Sequence, residues 1–269
     1  MRFMIGYQMT ADNRFLSLML RNKEKIGEVY FAWPDIPSGR GTMKSGKSDS
    51  LYAIQEKLLS DLKLLSDAGI ALNLLLNGHC YGRYSQARCF FEKIGDTVDF
   101  LASGFLLTSI TTSSPLIAKF LKQNFPKLER RASVNMEIGT CEGMDYLAAF
   151  FDGYYLRREL NRNIGKIQEI RAWCLQNGKK LYALANSGCL NHCSAHNFHD
   201  NLVAHENEIR EMDNAYEFSG ICRSWLEQPE KRQDFLAVSN FIRPEDVNLY
   251  EGYFDGLKLA TRVNRNPTA

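Results

Sequence analysis

Short apolar runs alternate with amphipathic helical stretches along almost the whole chain, and this alternation constrains the fold more than any other feature. Strand-like runs fall at RFMIGYQM (2–9), EVYFAW (28–33), IALNLLLN (70–77), VDFLASGF (98–105), RRASVNMEI (130–138), DGYYLRR (152–158), KKLYALAN (179–186) and DGLKLATR (255–262). Most are short and rich in aliphatic or aromatic residues, as buried parallel strands are. Helical patterns lie between them. LYAIQEKLLSDLKLLSDAG (51–69) sets Leu51, Ile54, Leu58, Leu62 and Leu65 on one face. SPLIAKFLKQNF (114–125) opens on Ser114 and Pro115, with Leu116, Phe120 and Leu121 as its apolar face. IGKIQEIRAWCLQNG (164–178) carries Ile164, Ile167, Ile170 and Cys174 on one side and stops at Gly178. EGMDYLAAFF (142–151) reads as a shorter helix. Eight strands in 269 residues predict a single (β/α)8 TIM-like barrel domain spanning 1–269. No GxGxxG follows the first strand, which disfavours a dinucleotide-binding open sheet. In such a barrel, functional side chains are expected just after the strands, at the C-terminal face.

Charge narrows the partners. Thirty-three Lys and Arg stand against 31 Asp and Glu, a net charge of +2, so no general electrostatic signal for nucleic acid or membrane surfaces is present. No apolar run approaches the roughly 20 residues that span a bilayer. The N-terminal stretch lacks a secretory core, so a cytoplasmic location is expected. PDIPSGRGTMKSGKSDS (34–50) reads as a long loop, mildly basic through Arg40, Lys44 and Lys47. It is either a solvated loop or a lid over an anionic substrate.

The seven cysteines are an odd number in an expected reducing compartment, which disfavours a disulfide framework. Cys174, Cys89 and Cys141 read as packing residues. Cys189 and Cys193 form a C-x3-C pair directly after the seventh strand, where two thiolates can face one metal. Cys222 and Cys80 follow other strands or turns toward the same rim. Together the four are candidate ligands of a [4Fe–4S] cluster, with zinc as the alternative. His192, His196, His199 and His205 crowd the same segment, and His79 adjoins Cys80. His196 and His199, three apart, are alternative ligands.

LANSGCLNHCSAHNFHDNLVAH (184–205) resembles the central signature of the peptidase U32, or collagenase-like protease, family. Ser194 stands where that pattern commonly has Pro. DGYYLRREL (152–160), with Arg158 and Glu159, resembles the family's strand ending in Arg-Glu. RASVNMEIGTCEGMDYL (131–147) and FIRPEDVNLYEGYFDGLKLATR (241–262) are similar to further family segments, so the resemblance covers about 100–262. It implies a TIM-like barrel. It also implies, for several relatives, a four-cysteine [4Fe–4S] cluster and oxygen-independent hydroxylation of a small molecule or RNA. The protease name implies a peptide-processing hydrolase. No GxSxG or HExxH is present. A Cys193 nucleophile with a His196 base rests on sequence proximity alone.

Ser133, Asn135 and Glu137 alternate with apolar residues and predict a polar inward strand face. Glu137 is the candidate general acid/base and Asn135 a substrate-orienting amide, unless Glu137 only pairs with a strand-end Arg such as Arg158. Lys258 and Arg262 share a strand face and are candidates to bind an anionic group or neutralise a carboxylate. Tyr154 and Tyr155 read as packing. Three functions follow: an iron–sulfur redox enzyme, a peptide-processing hydrolase, and a non-catalytic barrel that binds a peptide or partner protein.

Overall fold

The computed structural model describes residues 2–10, 12–39, 50–216, 218 and 220–260. The basic loop residues Arg40, Lys44 and Lys47, and Arg262, lie outside the described residues. The elements run β1 (Phe3–Gly6), α1 (Arg14–Arg21), β2 (Ile26–Ala32), α2 (Leu51–Asp67), β3 (Ala71–Leu76), α3 (Arg88–Gly104), β4 (Leu107–Thr112), α4 (Pro115–Asn124) and β5 (Glu129–Ala132). They continue with α5 (Cys141–Asp145), β6 (Gly153–Tyr155), α6 (Ile164–Gln176), β7 (Lys180–Leu184), α7 (His196–Ala204), α8 (Glu206–Arg210), α9 (Ile221–Leu226), α10 (Pro229–Arg232), α11 (Phe235–Val238) and β8 (Gly256–Leu259). The eight strands close in sequence order into a parallel barrel, β8 pairing back onto β1 through Phe3↔Leu257. The single (β/α)8 barrel is therefore the fold.

Local chemistry explains the helix limits. Ser50 and Ser114 accept hydrogen bonds from the Ala53 and Ile117 backbone N–H groups and start α2 and α4, the latter with Pro115 in its first turn. Asn163 caps α6 through Lys166 N–H, and Gly178, at φ +63°, lets the chain leave that helix. The helices pack outside the strands in two apolar bodies. One centres on Leu58, Leu62, Leu72 and Leu74, the other on Tyr154, Ile167, Ile170 and Leu181. Leu51 and Leu116, expected on buried faces, are exposed; they sit in the first turns of their helices, and α4 buries Ile117, Ala118 and Leu121 instead.

The barrel interior is mixed rather than aliphatic. Met4, Tyr30, Leu75, Val134, Tyr155, Tyr182 and Leu184 form one inner cluster. Among them lies an ionic network. Arg131 Nη1 donates to both Glu28 oxygens at 2.8 Å, and Asn73 and Ser109 donate to the same carboxylate at 3.0 and 3.2 Å. The Arg131 guanidinium also lies 4.3 Å from the Tyr182 ring centre. Gly153 makes room here, since a Cβ would come within 2.8 Å of Tyr182.

Two strand expectations need correction. Of the run 98–105, residues 98–104 are the C-terminal part of α3, where Ile94, Val98 and Leu101 recur at helical spacing and are buried; the fourth strand is LTSITT at 107–112. The run 130–138 leaves the sheet at Ala132, and Val134–Met136 form a short 3-10 turn. Among the described residues no helix is long and apolar enough to cross a membrane.

Candidate functional site

Polar side chains converge where the chain leaves β3, β5, β6 and β7, at the C-terminal mouth of the barrel. After β5, Ser133 caps the 3-10 turn, which directs the buried Asn135 inward while Val134 joins the interior cluster. Glu137 then takes a left-handed conformation, φ 51° and ψ 35°. That backbone is costly for a residue with a Cβ and tends to occur where a side chain must be aimed. The Glu137 carboxylate is aimed at His196, with Oε1 2.6 Å from Nδ1. Alternation along a strand predicted that Asn135 and Glu137 point inward, and it is a turn rather than a strand that brings Glu137 to His196.

His196 is the buried first residue of α7. Its Nε2 faces Asp200 Oδ2 at 3.3 Å, one helical turn on. The Arg158 guanidinium lies against the same ring through Nη1, and its Nη2 donates to Asn135 Oδ1 at 2.8 Å. Asn135 Nδ2 in turn donates to the Asn77 carbonyl at 3.3 Å. Asn77 Oδ1 accepts from Gly39 N–H at 3.0 Å. Gly39 is packed so tightly that a Cβ would lie 2.6 Å from Asn135 Nδ2. His79, after β3, brings Nδ1 to within 3.8 Å of Asp200 Oδ2. The result is an imidazole flanked by two carboxylates with a guanidinium beside it, a set able to move a proton and to hold a developing negative charge.

Three atoms in this cluster, His79 Nδ1, Asp200 Oδ2 and Arg158 Nε, are buried without a hydrogen-bond partner. Such atoms are rare in native proteins and each asks for an explanation.

The other expected site residues fall elsewhere. Glu159 pairs with Arg157 at 2.9 Å, away from the imidazole. Lys258 lies inside the barrel, its ammonium 4.0 Å from the Tyr30 ring centre and 5.1 Å from that of Tyr155. Its expected partner on the strand face, Arg262, lies outside the described residues. Tyr154 and Tyr155 are buried packing residues. His199 contacts the Phe218 ring rather than the cluster. His196 N–H bonds the Cys193 carbonyl at 3.1 Å, while its ring nitrogens face Glu137, Arg158 and Asp200, so its imidazole is not directed to the Cys193 thiol.

The cysteines differ in burial. Cys174 is buried in the core, and burial pushes its thiol up to about 12. Cys89 is exposed, against the packing expectation, because it lies on the outer face of α3. Cys141 is half-buried beside Glu169. Cys80, Cys189, Cys193 and Cys222 are each half-buried. Among the described residues no three His, Cys, Asp or Glu side chains are placed to hold one metal ion. No chemical step is routed through a four-cysteine cluster or a mixed Cys/His zinc site.

Asp200, Asn77, Gly39 and His79 are site residues that the sequence reading did not single out as such. The signal for Asp200 was present in its i, i+4 spacing from His196 on one helix.

No protein-family model matches the chain. The uncharacterized protease MJ1657 of Methanocaldococcus jannaschii is 25% identical over 258 residues, 93% of this chain and 71% of that protein. The solved structure of the U32 peptidase Mk0906 superposes with a TM-score of 0.66 at 14% identity, covering 96% of this chain and 91% of that one. At that identity the structural likeness speaks for the fold.

Proposed function

We propose that the chain, similar to the uncharacterized protease MJ1657 and to the U32 peptidase Mk0906, is a U32-type peptidase that hydrolyses peptide bonds at the C-terminal mouth of the barrel, with His196 as the group that moves the proton. The observation that carries this reading is the buried imidazole held at 2.6 Å by Glu137 and at 3.3 Å by Asp200, with Arg158 against it. The protease and peptidase names of the two similar proteins supply the reaction class.

The chemistry then runs through residues of this chain. Glu137 accepts from Nδ1–H; when the substrate carbonyl draws Arg158 Nη1 off Nε2, that nitrogen takes a proton from an attacking water. Arg158 donates to the carbonyl oxygen as negative charge develops there. His196 returns the proton to the departing amine, and the two carboxylates stabilise the imidazolium in between. Asn135, bonded to Arg158 Nη2, fixes the plane of the guanidinium.

The test is digestion of a broad peptide mixture by wild type and His196→Gln, read by mass spectrometry. General acid–base groups contribute about 10²–10⁴-fold, so His196→Gln is expected to lose activity on that scale. No cleavage by the wild type, or equal cleavage by the variant, overturns the reading. A second reading, an iron–sulfur redox enzyme acting on a small molecule or RNA, keeps one observation in its favour. Cys189, Cys193 and Cys222 all lie on the excursion between β7 and β8, and all are half-buried. Iron and sulfide analysis of anaerobically prepared protein decides it.

A further inference from the structure

A groove lies between α2, α3 and the chain just after β2, and the acid–base cluster does not use it. Its volume is about 550 Å³, within the range of small-ligand sites. Trp33 and Phe100 form an aromatic wall, with ring centres 6.5 Å apart and planes at 61°. Asp35, Glu92 and Asp96 bring three carboxylates. Glu92, Asp96 and Phe100 recur at four-residue spacing on α3 and so make one ridge along the groove. Among the described residues lining it, Lys93 is the only cation, and Asp35 holds that ammonium, through its carboxylate at 2.8 Å and its carbonyl at 3.1 Å. Glu92 and Asp96 make no side-chain hydrogen bond or ion pair among the described residues. Like charges four apart on a helix repel each other, and a cation between them removes that cost. Phe100 is half exposed. Trp33 is only 8% exposed, yet its indole N–H donates to no described atom. A buried indole N–H ordinarily finds an acceptor, and a peptide carbonyl is one.

We propose that this groove docks an arginine-bearing peptide segment. The guanidinium sits between Glu92 and Asp96 and against the Phe100 ring, and a neighbouring backbone carbonyl accepts from the Trp33 indole N–H. Arginine suits the groove better than lysine because its planar, charged head both pairs with carboxylates and stacks on an aromatic face. The docked segment lies beside the barrel mouth. The stretch 33–39 lines the groove at Trp33 and Asp35, and at Gly39 it reaches the acid–base cluster by donating to Asn77 Oδ1. Docking there requires no bond to be cleaved, so it stands apart from the hydrolase reading.

Asp99 provides an internal control, because it is exposed on the same helix, three residues from Asp96, and does not line the groove. The experiment titrates the intact protein into a labelled, capped glycine–serine peptide carrying one arginine, and reads fluorescence anisotropy at low ionic strength. The same peptide with citrulline keeps the shape and loses the charge. The arginine peptide is expected to bind about tenfold tighter than the citrulline peptide, since two carboxylates meet its charge. Asp96→Asn is expected to weaken the arginine peptide about threefold to fivefold, the scale of one exposed ion pair. Asp99→Asn removes the same charge and is expected to leave binding unchanged, with the thermal melts of both variants like that of wild type. Equal binding of the two peptides, equal losses in Asp96→Asn and Asp99→Asn, or free arginine bound as tightly as the peptide overturns the proposal. Cleavage is read in the same samples by mass spectrometry, so failure of docking and failure of the hydrolase reading are separable.

Discussion

Arg131 and Glu28 meet inside the barrel with side chains 6% and 3% exposed. Glu28 has Asn73 and Ser109 as its other donors, which solvate a carboxylate less well than water does. Arg131→Leu therefore strands a buried charge and is expected to cost about 3–5 kcal/mol in urea unfolding; a loss below about 1 kcal/mol contradicts the pairing. Glu129 responds to pH. Burial opposes its ionisation, but Arg131 at 2.8 Å, the Tyr182 hydroxyl at 2.5 Å and Lys180 at 2.9 Å outweigh it and hold the carboxyl at about 2 rather than 4.5. The folded value is depressed, so this contribution is complete above about pH 4.5 and disappears as pH falls toward 2. Thermal melts across that window are expected to decline less steeply in Glu129→Gln than in wild type. Equal slopes contradict the assignment. At the mouth, Gly39→Ala drives a methyl into Asn135 Nδ2 and is expected to lower turnover while the global melt moves little.

Helix α2 is the element whose sequence and structure agree best. Ile54, Leu58, Leu62 and Leu65 recur at three and four residues, and all are buried. Leu62→Ala is expected to cost about 2–5 kcal/mol, as truncations of buried leucines do, read as a shift in the urea midpoint. A change under about 1 kcal/mol would mean that this face is not core. The β4 region was the least legible, for a physical reason. Its Ser109 and Thr111 point into the barrel and satisfy Glu28 and Asn73, so the strand carries no aliphatic run. The apolar residues just before it, Val98 and Leu101, belong to a helix that packs outside. Periodicity sees apolar burial and is blind to a buried polar layer. It likewise missed the early end of β5, because Ser133 reads as a strand residue until its hydroxyl caps the turn.

At the scale of the whole molecule, eight closed parallel strands set one rim where loops from β3, β5, β6 and β7 meet. Strand order made that rim legible from the sequence; alternation named Glu137 and Asn135, and the family resemblance named Arg158. Which histidine joins them was not legible, because the choice depends on how α7 enters the rim. His196 and Asp200 face inward on successive turns, while His199 is turned to Phe218. The central claim is that His196 and Glu137 act as one acid–base unit on a peptide carbonyl. The most direct measurement is a double-mutant cycle on kcat/KM for a cleaved peptide, using His196→Gln, Glu137→Gln and the two together. Groups that act as a unit are strongly non-additive. The account expects the double variant to be no slower than His196→Gln alone; multiplication of the two single losses would contradict it.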